Sequence, residues 1–152
     1  MTRRLGSTLL LGIAIGTFAA GIVGYAQAQR PYRDGSVWEI NFIRMKPGME
    51  SAYLTYLAGE WKREQEAGKK EGLILSYKVI GTEGHTPGDW NLMLMTEFKD
   101  LATMEANQPK FEALAVKLAG SDDKMRQGYK DRLEIREVMG SRLAREIILE
   151  PK

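Results

Sequence analysis

Few side chains in this sequence have the chemistry of a proton donor, a metal ligand or a nucleophile. His85 is the only histidine, and histidine exchanges protons near neutrality without help from its surroundings. It lies in the glycine-rich loop 81–89, a kind of segment that often carries function, although a solvated loop residue is the competing interpretation. The chain has no cysteine. With one histidine and only carboxylates beside it, we expect neither a metal nor another cofactor.

Asn41 and Glu39 form a second set, because they alternate with apolar residues along a predicted strand. If their side faces a cavity, they would orient a ligand, and if it faces solvent, they have no special role. The sequence leaves open which face of this strand lines a cavity. Asn41 and His85 are the catalytic candidates, and the candidate pocket residues are Trp38, Glu39, Asn41, Tyr77, His85, Trp90, Met93 and Met95. Aromatic and Met residues at strand spacing are more often core than ligand contacts.

Several function classes lack their motifs. Gly81, Gly84 and Gly88 join two predicted strands, whereas a phosphate-binding loop joins a strand to a helix. No nucleophile-elbow pattern for serine-based hydrolysis occurs. The net charge is +2, and Arg3 and Arg4 account for it, so the chain from residue 29 onward is neutral. That part lacks the basic footprint of a nucleic-acid-binding protein.

The N-terminal segment has the features of an export signal. Arg3 and Arg4 form a basic start, 5–23 is almost wholly apolar or small, and Ala26-Gln27-Ala28 resembles a cleavage site. A membrane anchor is the alternative, but 5–23 falls just short of the about 20 apolar residues that a spanning helix needs. The arginine pair leaves general and twin-arginine export open. We therefore expect a signal peptide over 1–28 and a periplasmic or secreted protein that is not membrane-bound after cleavage.

The pattern of apolar and polar residues predicts the elements that follow this signal. We expect a flexible lead-in over 29–36 and one domain over 37–150. The predicted elements are strands over 37–45, 73–80, 90–98 and 143–149 and helices over 49–68, 101–107, 109–119 and 121–139. The strand over 90–98 is nearly continuously apolar, so we expect it in the centre of the sheet. Asp100 is a suitable N-cap for the helix that follows it.

Glycine and proline residues mark the predicted boundaries. Lys46-Pro47-Gly48 is expected to turn the chain after the first strand. Pro109 is expected to divide a helix, because proline is tolerated in a first turn. Gly68 and Gly140 are expected to end helices. Gly59 lies inside a predicted helix, where it costs about 1 kcal/mol relative to Ala, and we expect it to allow close packing against the sheet.

This order of elements predicts an α+β fold of the ferredoxin-like βαββαβ type, with one antiparallel sheet and an extra helix before the last strand. Right-handed crossovers place both helices on the same face of the sheet. The other face has nothing in this chain to cover it, and a face rich in Leu, Met and Trp would not stay bare in water. We therefore expect a homodimer, with room for a small apolar molecule between sheet and partner.

Two short motifs resemble those of the dimeric α+β-barrel superfamily, which includes antibiotic-biosynthesis monooxygenases, haem-degrading monooxygenases and many uncharacterised members. A first strand that ends in Lys46-Pro47-Gly48 and runs into a helix with Tyr53 is similar to the opening of these proteins. The run Asn107-Gln108-Pro109-Lys110-Phe111 looks like their second helix, where a Pro-x-Phe step is common. The resemblance spans 37–149 in element order and supports the fold better than any activity.

The resemblance implies no haem chemistry. The haem-degrading branch uses an Asn on strand one, a Trp on strand three and a His on the second helix, and Asn41 and Trp90 match the first two. The third position is Ala115, and no His lies between Leu101 and Gly120.

Two hypotheses of different classes remain. The first is an exported homodimer that binds a small apolar molecule, or has a structural role, without turnover. The alternative is a cofactor-independent monooxygenase or isomerase-like enzyme, in which Asn41, His85 and Trp90 line a cavity. The sequence specifies neither the ligand nor the reaction.

Overall fold

The computed structural model describes residues 30–83, 86 and 88–150, so the predicted signal peptide lies outside the described residues. The elements are β1 (Tyr32–Met45), α1 (Glu50–Tyr56), a π-helical segment (Leu57–Trp61), α2 (Lys62–Lys70), β2 (Ser76–Gly81), β3 (Leu92–Phe98), α3 (Leu101–Ala119), α4 (Asp122–Ile135) and β4 (Arg136–Leu149). The strands form one antiparallel sheet in the order β2-β3-β1-β4. This confirms the ferredoxin-like prediction, including the extra helix, α4, and the interior position of β3.

The two interior strands, β1 and β3, determine which side chains face the helices, because successive residues of a strand point to opposite sides of a sheet. Val37 pairs with Phe98 and Ile43 with Leu92, and all four are buried. We call their side the helix face, and it carries Val37, Glu39, Asn41, Ile43, Leu92, Leu94, Thr96 and Phe98. We call the opposite side the open face, and it carries Trp38, Ile40, Phe42, Met93, Met95 and Glu97.

The packed core of the described residues lies between the helix face and the helices. Tyr53 and Leu57 form one buried cluster with Ile43, Leu92 and Leu94. The second cluster consists of Leu73, Ile74, Phe98 and Leu114, with Met104 and Phe111 packed against it. In the described part of the chain, both buried clusters lie on the same side of the sheet, as two right-handed crossovers require.

The first helical run keeps one stripe of side chains on the sheet over its whole length. α1, the π-helical segment and α2 follow one another without interruption, and Tyr53, Leu57, Trp61 and Gln65 recur along them at four-residue steps. In an α-helix of 3.6 residues per turn each such step drifts by about 40° around the axis. The wider π turn offsets part of this drift. Gln65 therefore still faces the sheet, and it is buried.

The second helix differs from its prediction at Pro109. Asp100 accepts a hydrogen bond from the Thr103 N–H at 2.7 Å, which confirms the N-cap. The predicted division at Pro109 is wrong, because α3 continues through it to Ala119. Proline removes one helical hydrogen bond, to the carbonyl four residues earlier. That residue, Glu105, is exposed, as is Pro109, so water can take the place of the missing donor.

The last strand begins earlier than predicted. α4 ends at Ile135, and Arg136 is already extended and paired with Met45. The prediction that Gly140 ends the helix is wrong. Gly140 lies inside β4 with φ at +151°, beside a shift in the register between β4 and β1. Glycine adopts this backbone angle without a side-chain clash, and the extra residue forms a bulge.

The first strand also begins earlier than predicted. The segment 32–36, expected to be part of a flexible lead-in, belongs to β1 because Tyr32 pairs with Leu149 and Asp34 with Ile147. β2 is shorter than predicted and begins at Ser76, after the buried residues Leu73 and Ile74. Among the described residues, no helix is both long and apolar enough to cross a membrane.

Neither glycine of the first helical run has the role predicted for it. A Cβ on Gly59 would meet nothing within 4 Å, so the expectation of close packing there is wrong. A Cβ on Gly68 would lie 2.7 Å from Cε2 of Phe111. Gly68 does not end the helix, which continues to Lys70. Its missing side chain lets α2 approach α3.

Replacing Gly68 by Ala is expected to lower the free energy of unfolding by about 1 to 3 kcal/mol, because the added methyl group displaces the Phe111 ring in a packed site. Gly59→Ala is the matched control, with open space around it, and should leave stability unchanged or raise it by up to about 1 kcal/mol. Urea unfolding followed by circular dichroism measures both. Equal losses for the two variants would contradict this packing.

Candidate functional site

A cleft lies between the helix face of the sheet and two helical walls. Its volume is about 320 Å³, which is in the range of small-molecule sites. β1 and β3 form the floor, the first helical run forms one wall, and α3 forms the other. The lining residues are Glu39, Asn41, Trp61, Gln65, Thr96, Phe98, Met104, Asn107, Gln108, Phe111 and Glu112. We call this space the cleft.

The floor of the cleft is polar because of strand alternation. Glu39 and Asn41 are two residues apart on β1 and therefore point to the same side. Thr96 pairs with Glu39 across the sheet, and its hydroxyl donates a hydrogen bond to Oε1 of Gln65 at 3.2 Å. Gln65 is only 4% exposed, which is rare for a polar side chain. The hydrogen bond from Thr96 satisfies only the carbonyl oxygen of the Gln65 amide.

Three polar groups of the cleft have no hydrogen-bond partner among the described residues. They are the carboxylate of Glu39, the amide of Asn41 and the amide NH₂ of Gln65. A polar group that is partly removed from water without a partner costs free energy. These groups are therefore available to a ligand, and together they offer both acceptors and donors.

The charge of the cleft is negative. Glu39 and Glu112 are its acids, and the described lining contains no Lys or Arg. Glu112 accepts a hydrogen bond from Nε2 of Gln108 at 3.1 Å, so part of its acceptor capacity is used. The carboxylate of Glu39 is thus the main charged group directed into the cleft.

One wall is fixed by an aromatic contact. The ring of Tyr77 meets that of Trp61 edge-on, at 5.3 Å between centroids and 89° between planes. The Tyr77 hydroxyl donates to Oε1 of Glu66 at 2.6 Å, and this hydrogen bond raises the pKa of Tyr77. Tyr77 thus positions Trp61 from outside the cleft.

The wall formed by α3 combines the apolar residues Met104 and Phe111 with the polar residues Asn107, Gln108 and Glu112. Met104 and Phe111 pack against the second core cluster, and Phe111 is held close to α2 by the absence of a side chain on Gly68. Asn107 also lies on this wall and donates to the carbonyl of Leu73 at 3.5 Å. A ligand in the cleft would therefore lie between aromatic and Met side chains above a polar floor.

The structure divides the predicted pocket residues between two sides of the sheet. Glu39 and Asn41 line the cleft, and Tyr77 supports it. Trp38, Met93 and Met95 lie on the open face, and Trp90 borders another space of about 300 Å³ beside Phe42, Met139, Gly140 and Arg142. The described residues among these candidates therefore do not surround one pocket of this chain, because Trp38, Met93 and Met95 face away from the helices. His85 lies outside the described residues.

Several lining residues were not predicted. Gln65 is the clearest case, since it follows Tyr53, Leu57 and Trp61 at four-residue steps and is a polar residue on an apolar stripe. Such an interruption is a recognisable sign of a buried polar group. Asn107 and Phe111 are likewise four residues apart and share one face of α3. Thr96 has no such sign, because alternation alone does not reveal which face of β3 meets the helices.

Comparisons with known proteins found no match to a family model and no match among curated proteins. Two crystal structures are similar. A NIPSNAP family protein of unknown function from Agrobacterium tumefaciens strain C58 is 18% identical, with a TM-score of 0.48, covering 78% of this chain and 92% of that one. A dimeric ferredoxin-like protein from an uncultured marine organism is 17% identical, with a TM-score of 0.37, covering 80% and 99%. Neither likeness assigns an activity to this chain.

Proposed function

We propose that this protein binds a small molecule in the cleft. The observation that carries the proposal is the set of unpartnered polar groups on Glu39, Asn41 and Gln65, which the described structure places together in a space of about 320 Å³. Small-molecule sites combine apolar walls with a few polar groups that fix orientation. The site lies between the sheet and the helices, whereas the sequence suggested the space between sheet and partner.

The chemistry of the cleft favours an amphipathic ligand with a hydrogen-bond donor. Trp61, Phe98 and Phe111 offer aromatic surface to an apolar body, and the carboxylate of Glu39 accepts hydrogen bonds. The aromatic rings and the negative charge both attract a cation such as an ammonium group. A purely apolar molecule would leave the floor unsatisfied, and an anion would be repelled by Glu39.

Catalysis has less support than binding. The cofactor-independent enzyme would need Asn41 and Trp90 at one cavity. Asn41 lines the cleft, whereas the ring of Trp90 contacts that of Phe42 on the open face, with 4.8 Å between centroids and 59° between planes. A fixed arrangement of reacting groups is required for a catalytic site. We therefore propose binding without turnover as the function of the cleft.

We also propose that the protein is a homodimer whose contact includes the open face. Trp38, Ile40 and Phe42 are only half-buried there. β3 ends opposite Val37. Beyond that point only β1 and β4 remain paired, as a two-stranded ribbon that extends to the pair Tyr32 and Leu149. An isolated ribbon of this kind is marginal in water. A second copy packed on the open face and the ribbon would cover both.

The dimer predicts a specific effect of Ile80→Lys. Ile80 pairs with Met93 of the open face and is 39% exposed, so the substitution should not disturb the fold of one subunit. Burying a lysine in the contact should weaken association about tenfold or more. Leu54→Lys is the control, since Leu54 is 46% exposed on α1. Sedimentation velocity over a concentration series would show a dimer for wild type and Leu54→Lys. A wild-type monomer would contradict the proposal.

We propose, on the sequence alone, that the chain is exported and that residues 1–28 are removed. If so, the protein recovered from the periplasm or medium of an expressing bacterium begins at Gln29. Intact mass spectrometry measures this directly. Recovery of the full-length chain in the membrane fraction would favour the retained anchor instead.

The ligand class predicts opposite responses to two matched probes, octylammonium and octanoate at pH 7. Wild type should bind octylammonium more tightly, and Glu39→Gln should weaken that binding about tenfold or more, because a hydrogen bond to a charged group is lost. Asn41→Ala should weaken it with little change in thermal stability. Glu105→Gln, an exposed position on α3 outside the cleft, is the control. Isothermal titration calorimetry measures the affinities. Equal binding of both probes, or an unaffected Glu39→Gln, would contradict the proposal.

A further inference from the structure

A second concave surface, unrelated to the cleft, lies where α4 packs beside α2 and α3. It consists of adjoining spaces of about 70 and 470 Å³ that share Glu64, Ala115, Met125 and Arg132. Basic side chains border it, namely Arg63, Lys124, Arg126, Lys130 and Arg132. We call this surface the arginine groove.

Two guanidinium groups near the groove have buried N–H donors without acceptors in the described part of the chain. They are Nε of Arg132 and both Nε and Nη1 of Arg136. Arg136 is only 7% exposed. Burying a cation without an anionic partner is costly. Arg132 itself lines both spaces of the groove, so its positive charge is within reach of a ligand.

Aromatic rings hold these guanidinium groups in place. Arg132 lies over the ring of Tyr56 at 4.7 Å and near that of Tyr129 at 5.8 Å. Arg136 lies over Tyr53 and Tyr129 at 5.6 and 5.8 Å. Cation–π contacts orient an arginine and offset part of its desolvation, but they leave its N–H donors free for an acceptor. Tyr129 lies against both arginines, which makes one preorganised cationic cluster.

The acids of the groove do not balance this charge. Glu60 and Glu64 line it beside five basic residues, and in the described structure neither acid lies within 4.0 Å of a basic nitrogen. Burial raises the pKa of Glu64, and the charge of Arg132 opposes that shift. Of the five basic residues, Arg126 is paired with Asp122 at 3.9 Å, and the other four have no such partner among the described residues. An excess of positive charge in a nearly neutral domain thus concentrates here.

We propose that the arginine groove binds the phosphate or carboxylate group of a small organic anion, with Arg132 as its main contact. Guanidinium groups match the planar or tetrahedral oxygens of these anions. Ala115 and Met125 lie in both spaces and offer apolar surface to the rest of the molecule. The site is independent of the cleft, whose ligand carries the opposite charge.

The test uses inorganic phosphate and octyl phosphate as probes, with sodium chloride at equal ionic strength as the salt control. Titration calorimetry on the protein recovered after export is expected to show binding of both, with octyl phosphate at least threefold tighter. Arg132→Met should weaken binding at least tenfold. Arg142→Met is the matched control, because Arg142 is exposed on β4 and donates to the carbonyl of Ser141. It should bind like wild type.

The folding of the variants is checked separately. Arg132→Met should keep the circular dichroism spectrum and the cooperative urea unfolding of the wild type, which shows that the fold is intact. If it does not fold, a Lys124→Gln, Lys130→Gln double variant, at two exposed positions on α4, should weaken phosphate binding severalfold. The proposal is overturned if phosphate has no effect beyond that of chloride. It is also overturned if a folded Arg132→Met, or the double variant, binds phosphate as tightly as wild type.

Discussion

The pairing of β1 with β3 determines where every other feature of this protein lies. Glu39 is opposite Thr96, and Asn41 is opposite Leu94, so these polar side chains share a face with the buried residues Val37 and Ile43. A shift of the register by one residue would exchange the two faces. It would place Trp38 and Phe42 under the helices and Glu39 in the open. The core, the cleft and the proposed dimer contact therefore depend on one set of strand pairs.

The helices turn this pattern into a site. The π turn keeps Tyr53 and Gln65 on the same side of the first helical run, so one end of that run contributes to the core and the other to the cleft. Gly68 brings α3 close enough for Phe111 to complete the opposite wall. The helices thus leave space above Glu39 and Asn41. Apolar residues at these two positions would have packed against the helices as part of the core. Unfilled space beside unpaired polar groups is costly unless water or a ligand uses it.

Much of the fold could be predicted from the sequence, because the patterns that define it are local. Periodicity gave the order of strands and helices, and Asp100 marked the start of α3 correctly. The errors arose where pairing between distant segments overrides local preference. Arg136 leaves a helical pattern because Met45 pairs with it, and 32–36 becomes a strand because β4 lies beside it.

The candidate site was less predictable for a related reason. Glu39 and Asn41 were selected correctly as polar residues of one face, but the sequence did not reveal that this face meets the helices. Which face of β1 meets the helices depends on its pairing register with β3. Met93 does not share a face with Asn41, because Asn41 pairs with Leu94 and neighbours along a strand point to opposite faces of the sheet. The buried role of Gln65 depends on the π turn, which no local pattern specified.

The most direct test of this division between two faces is nuclear magnetic resonance on wild-type protein during addition of octylammonium. The side-chain NH₂ signals of Asn41 and Gln65 should shift in a saturable way, while the methyl signals of Met93 and Met95 on the open face should stay in place. Shifts of the Met93 and Met95 methyl groups, with Asn41 and Gln65 unaffected, would show that the ligand lies on the other side of the sheet and would contradict the account.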